Sequence, residues 1–285
     1  MNVLKTGILL SVLTVLLVFI GQLLGGARGA VTAFAFALLI NLGSYWFSDK
    51  IVLAMYRAKP LSETDGPQVY RAVREIASRI GMPMPKLFLI PTVTPNAFAT
   101  GRSPKHAAVA VTSGLLQIMS EEELKGVLAH ELSHVKNRDT LVMTIAAAVA
   151  GAIAMLASWA RWGLMFGGGR SGDRRGGNAA VQLVAVLVIA ILAPLAAMLI
   201  QLAISRTREY GADETGARLT GNPHGLAAAL EKLESAVRAH PLEGANPATA
   251  HLFIVNPLRG DAIAKLFSTH PPVADRIHRL RTMRL

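Results

Sequence analysis

The chain has 285 residues, 52% of them hydrophobic, and a formal net charge of +11. So basic a balance invites a nucleic-acid partner, but no nucleic-acid fold signature accompanies it, and nucleic acid is not expected to bind. Cysteine is absent, which excludes disulfides, a thiol nucleophile and any thiolate metal site.

Four stretches carry no charged residue: 6–27, 29–48, 140–160 and 176–205. Each reaches the roughly 20 residues that a helix needs to cross a bilayer. Trp46, Phe47, Trp159 and Trp162 sit near their ends, where interfacial aromatics belong. The expectation is a mainly α membrane protein with four apolar membrane helices in two hairpins. The chain opens like a signal peptide, but its first apolar run is too long, and a second follows after only Arg28. Residues 1–48 are therefore read as a retained N-terminal transmembrane hairpin, turning at Gly25–Gly29.

The polar segment 49–139 opens with an amphipathic helix predicted over 66–80, on Val69, Val73, Ile76 and Ile80, and stopped by Gly81 and Pro83. Lys86–Ile90 reads as a short strand and Ala107–Thr112 as another, with Asn96–Gly101 between them. Ser120 and Glu123 then form a capping box, and Glu121 and Glu122 add negative charge to the first turn of the next helix. That helix carries His130-Glu131-Leu132-Ser133-His134. Positions four apart stack on one helix face, so the two imidazoles converge on one point. Glu131 stands beside them, placed to take a proton from an attacking water. This is the spacing of a zinc site.

Residues 140–205 hold the second membrane hairpin, interrupted by a Gly- and Arg-rich loop over 167–178. The arginines of that connection, Arg161, Arg170, Arg174 and Arg175, conflict with its full crossing under the positive-inside rule. A hairpin that inserts without crossing is the alternative. The last segment, 206–285, continues as a helix over Ser205–Leu219, then a helix capped by Asn222-Pro223, and ends in a basic helix after His270-Pro271-Pro272.

A catalytic zinc needs three protein ligands and an open position. Glu209, Asp213, Glu214, His251 and His270 are the downstream candidates for the third. Glu209 is preferred, because Glu209 and Asp213 lie one turn apart, so that one can bind the metal while the other orients an imidazole. The alternative is a solvated face paired with Arg206 and Arg208. His106, His224, His240, His251 and His278 are read as ordinary surface or core histidines rather than ligands, and Asn137 and Asp139 receive no chemistry.

His130–Asp139, Ser205–Asp213 and Ser268–Pro272, together with Asn96–Gly101, resemble the HtpX branch of the membrane zinc metalloproteases over nearly the whole chain. The related CAAX-processing proteases share the zinc motifs but have more membrane spans. The resemblance implies a small α+β zincin-like (gluzincin) protease domain assembled from 49–139 and 206–285. It implies one Zn²⁺ held by His130, His134 and Glu209, with Asp213 orienting a ligand and Glu131 as base. Asn96, Ala97, Phe98 and Ala99 would then form an edge strand that pairs with extended substrate. His270 is the candidate oxyanion donor, with Tyr210 a weaker one. The resemblance further implies a multi-pass protein of the prokaryotic plasma (inner) membrane with its protease domain facing the cytoplasm. There it would degrade unfolded or misfolded proteins under stress, in contact with membrane lipids and alongside a partner quality-control protease. A zinc-dependent hydrolase of a non-peptide substrate and a non-catalytic membrane scaffold are the other function classes.

Overall fold

A computed structural model describes residues 2–147, 206–239, 252–255 and 271–285. Its first element, α1 (Asn2–Met55), is helical throughout yet reverses direction. The Asn41 amide donates to Thr14 Oγ1 at 2.8 Å and to the Leu10 carbonyl at 3.3 Å. A straight helix, rising about 1.5 Å per residue, would hold positions 10 and 41 roughly 45 Å apart. Gly26 sits at φ +57, a left-handed conformation open to glycine, within the predicted turn. Within α1, Gly26–Gly43 is long and apolar enough to cross a membrane, and only 6% of it is buried. That low burial argues against the core helix of a soluble domain. It is one candidate span; the expected four are not all in view, since the runs 140–160 and 176–205 lie, apart from 140–147, outside the described residues. The Gly- and Arg-rich loop lies outside them too. Residues 139–147 are helical, and Val142 and Ile145 are fully buried.

Among the described residues, the remainder is a four-stranded sheet under a layer of helices. The strands are β1 (Lys59–Pro60), β2 (Lys86–Ile90), β3 (Ala97–Thr100) and β4 (Ala108–Thr112), ordered β1-β2-β4-β3. β2 and β4 run parallel, with Phe88 opposite Ala110, while β3 returns antiparallel on the far side of β4, with Phe98 opposite Ala110. β3 is thus an edge strand.

Alternation along the strands divides two cores. Ala97, Ala99, Val109 and Val111 face the helices, whereas Phe98, Ala108 and Ala110 face Val52, Leu53 and Met143. The helical layer comprises α2 (Pro67–Arg79), α4 (Glu121–Lys136), α5 (Arg206–Thr220), α6 (Pro223–Ala239) and α7 (Val273–Thr282), with a short α3 (Ser113–Ile118) after β4. Helix α4 lies at the centre, against α2, α5, α6 and β3. The capping box closes as expected: Ser120 Oγ accepts from the Glu123 amide at 3.3 Å, and Glu123 Oε2 accepts from the Ser120 amide at 2.8 Å. Asn222 Oδ1 likewise caps α6, accepting from the Gly225 amide at 3.0 Å.

Candidate metal centre

The middle of α4 is buried from Gly126 to Val135, so the His130 and His134 side chains point into protein. Helix α5 can reach them because Gly216 lets it approach closely: a Cβ there would stand 2.9 Å from the His130 backbone nitrogen. This contact delivers Glu209 from a segment some seventy residues downstream. His130 Nε2 and His134 Nε2 stand 3.3 Å apart, while Glu209 Oε1 is 3.4 Å from His134 Nε2 and Oε2 is 3.7 Å from His130 Nε2. Donors bonded at about 2.0–2.1 Å in a tetrahedron lie about 3.3 Å from one another, so the three side chains fit one small divalent cation.

Both outer ring nitrogens have carboxylate partners. His130 Nδ1 lies 2.9 Å from Asp213 Oδ1, and His134 Nδ1 lies 3.4 Å from Asp139 Oδ2. Each contact favours the Nδ1–H tautomer and turns the Nε2 lone pair toward the shared point. Arg276 completes the arrangement from α7. Fully buried, it donates to Asp213 through Nε at 2.8 Å and Nη2 at 2.7 Å, and through Nη1 to the Ile254 carbonyl at 2.9 Å. Burial works against the Arg276 charge, but Asp213 more than offsets it and its pKa rises. Burial also opposes the Asp213 charge, yet Arg276 and His130 outweigh it and hold that carboxyl down to about 2. Burial pushes His130 down to about 4, leaving it neutral and able to donate a lone pair at neutral pH.

Glu131 faces β3, where its Oε2 accepts from the Ala99 amide at 2.8 Å. Burial pushes its carboxyl up to about 8. A divalent cation alongside would favour the ionised form and oppose that rise. Asn96, just before that strand, and Ala97, Phe98 and Ala99 on it are all buried. The Asn96 side chain donates to the Val255 carbonyl at 2.9 Å and accepts from the Ala97 amide at 3.1 Å.

The remaining candidates separate from the cluster. Glu214 pairs with Arg218 on the surface at 3.0 Å, and the Tyr210 ring lies beneath Arg279 at 4.1 Å. His106, His224 and His278 are exposed. His251, His240 and His270 lie outside the described residues, so the oxyanion assignment of His270 has no structural counterpart here. Sequence reasoning missed Asp139 and Arg276. Asp139 had a signal, an acid at the mouth of an apolar run. Arg276 had none, being one of several basic residues in a basic helix.

Residues 63–284 match peptidase family M48. A Protease HtpX homolog from Syntrophobacter fumaroxidans is 60% identical over 98% of this chain and 98% of its own. One from Pyrococcus furiosus is 58% identical over 97% of this chain and 94% of its own. The crystal structure of S. mikatae Ste24p aligns at 19% identity with a TM-score of 0.49, over 88% of this chain and 57% of that one. The buried His-Glu-His helix and the near full-length kinship agree: this chain belongs to peptidase family M48, among the HtpX proteases, and is a metallopeptidase.

Proposed function

We propose that the chain is a membrane-integral zinc endopeptidase that cleaves unfolded or damaged proteins, membrane proteins among them, in stress-related quality control. The observation that carries the metal-dependent chemistry is the 3.3–3.7 Å triangle of His130, His134 and Glu209. Zinc is favoured over harder cations because two of the three donors are imidazoles.

When bound, the zinc supplies Lewis acidity, which acidifies water and polarises a scissile carbonyl. Glu131 accepts the proton of the attacking water and returns it to the departing amine nitrogen. Asp213 and Asp139 hold the imidazoles in register, and Arg276 holds Asp213. His270 is retained as the proposed oxyanion donor. Strand β3 is the proposed docking edge, and backbone pairing there suits chains that have lost their fold.

Exposed Leu39, Leu42, Trp46 and Phe47 on α1 support a membrane anchor, with the two aromatics where an interface would lie. The proposed topology has four spans in two hairpins, in the plasma membrane, with 49–139 and 206–285 on the cytoplasmic side. The basic charge of those segments supports that orientation. A partner quality-control protease is part of the same proposal. The test is metal analysis of detergent-purified protein, paired with cleavage of an unfolded casein-type substrate with and without chelator. Chelator-sensitive cleavage and one zinc per chain are expected. Metal-free protein with undiminished cleavage would overturn the reading.

A further inference from the structure

The four core residues of the site are closed to solvent: His130 is 1% exposed, Glu131 3%, His134 3% and Glu209 2%. A polypeptide reaches such a site only if something moves. The edge beside Glu131 shows what stands in the way. Asn96 turns its carbonyl to β4, accepting from the Thr112 amide at 3.0 Å, so by alternation Ala97 and Ala99 turn theirs outward. On that outward edge the Ala99 amide meets Glu131, and the Ala97 carbonyl accepts from the Ile254 amide at 3.3 Å.

Ile254 belongs to the short stretch Leu252–Val255, whose side chains are all 5% exposed or less. Its backbone is held by groups that belong to the site. Besides the Ala97 contact, the Ile254 carbonyl takes a hydrogen bond from Arg276 at 2.9 Å and the Val255 carbonyl takes one from Asn96 at 2.9 Å. Its backbone bends, and its side chains divide in pairs, Leu252 and Phe253 entering one core and Ile254 and Val255 the other. Phe253 packs edge-on against Phe98 and Tyr56, with ring centroids 5.4 and 4.9 Å away, while Ile254 enters the opposite core with Ala97.

We infer that Leu252–Val255 occupies the place of an extended substrate on β3 and must leave that edge before a polypeptide can be cleaved. All three hydrogen bonds are to peptide groups, and an extended chain would likewise meet the outward edge of β3 through its own peptide groups, without sequence specificity. The space Phe253 vacates, walled by Phe98 and Tyr56, becomes the subsite for a large apolar side chain. Substrates are therefore chains that can be drawn out flat and present a bulky apolar residue, a description that fits unfolded segments. The inference rests on the peptidase reading and adds a self-occluding segment to it.

The absence of native cysteine permits a clean test in the full-length protein. The Ile254 amide donates to the Ala97 carbonyl at 3.3 Å and both side chains enter the same core, so the pair is suited to a disulfide trial. The Ala97→Cys, Ile254→Cys double variant is compared oxidised and reduced, each loaded with zinc, on unfolded casein. Oxidation should lower cleavage at least tenfold relative to the same protein reduced, with metal content unchanged. Equal rates in the two states would overturn the inference and leave the peptidase reading standing; no cleavage by wild type would end both.

Should the double variant be inactive in both states, amide exchange in Glu131→Gln protein decides. Saturating casein should speed exchange at Ile254 at least tenfold if the segment is displaced. Unchanged or slower exchange would overturn the inference.

Discussion

Asp213 and Arg276, 63 positions apart in sequence, form a two-pronged ion pair inside the protein, at 2.7 and 2.8 Å. The same carboxylate holds His130 at 2.9 Å, so α7 is coupled to the metal-binding helix through one side chain.

Arg276→Met should therefore do two things. It strands the buried Asp213 charge, which costs about 3–5 kcal/mol. It also loosens the His130 ring, lowering metal affinity about 10- to 100-fold. Thermal unfolding in detergent and competition with a chelator measure the two effects separately. The Arg276→Met, Asp213→Leu double variant should recover stability but not metal affinity.

Asp139→Asn addresses the other imidazole. The contact to His134 Nδ1 is longer, 3.4 Å, and the change keeps the shape while removing the charge. Metal affinity should fall toward the lower end of the same range, about tenfold, with little loss of fold stability.

Much of this arrangement was legible in the sequence. The boundaries of α4 follow from Ser120 and Glu123, which close its first turn, and β2 lies where the short apolar run of Lys86–Ile90 ends at Pro91. The His130, His134 and Glu209 grouping was legible because helical spacing fixes two of its members and one acidic turn offers the third. Asp139 was hidden by the backbone: Arg138 adopts φ +58 after the helix ends, and the turn carries Asp139 back to His134. Arg276 was hidden because its partner is tertiary. Strand β1 is two residues long, Lys59-Pro60, and has no apolar pattern to read. Leu252–Val255 has the composition of a strand, but nothing local says which edge it will meet.

Gly216→Ala opposes propensity to packing. Alanine gains about 1 kcal/mol over glycine in a helix interior. Here its Cβ would press on the His130 backbone, 2.9 Å from the nitrogen, and overpacking costs about 1–3 kcal/mol. Zinc content after purification should fall, because Glu209 is carried on the displaced helix. A variant with higher melting temperature and full zinc would show that α5 does not lean on α4 at this point.

Glu123 gives a pH signature remote from the metal. Burial raises its pKa, but Lys232 at 2.7 Å and the Ser120 amide outweigh that, and the carboxyl lies below its ordinary value of 4.5. A depressed folded-state pKa means stabilisation that is complete above pH 4.5 and is lost as pH falls through the folded value. Glu123→Gln should cost about 1 kcal/mol at neutral pH, within the range for a lost cap. It should also flatten the decline of stability below pH 4.5 seen in wild type, as followed by unfolding midpoints across pH.

The most direct measurement compares wild type with Glu131→Gln, each assayed for bound metal and for cleavage of an unfolded protein. The side chain touches β3 and contributes no atom to the His130, His134 and Glu209 triangle, so the variant should retain a full complement of zinc. Its turnover should fall about 100- to 10,000-fold, as expected for loss of a general base. Zinc-replete Glu131→Gln protein that cleaves at the wild-type rate would contradict the account.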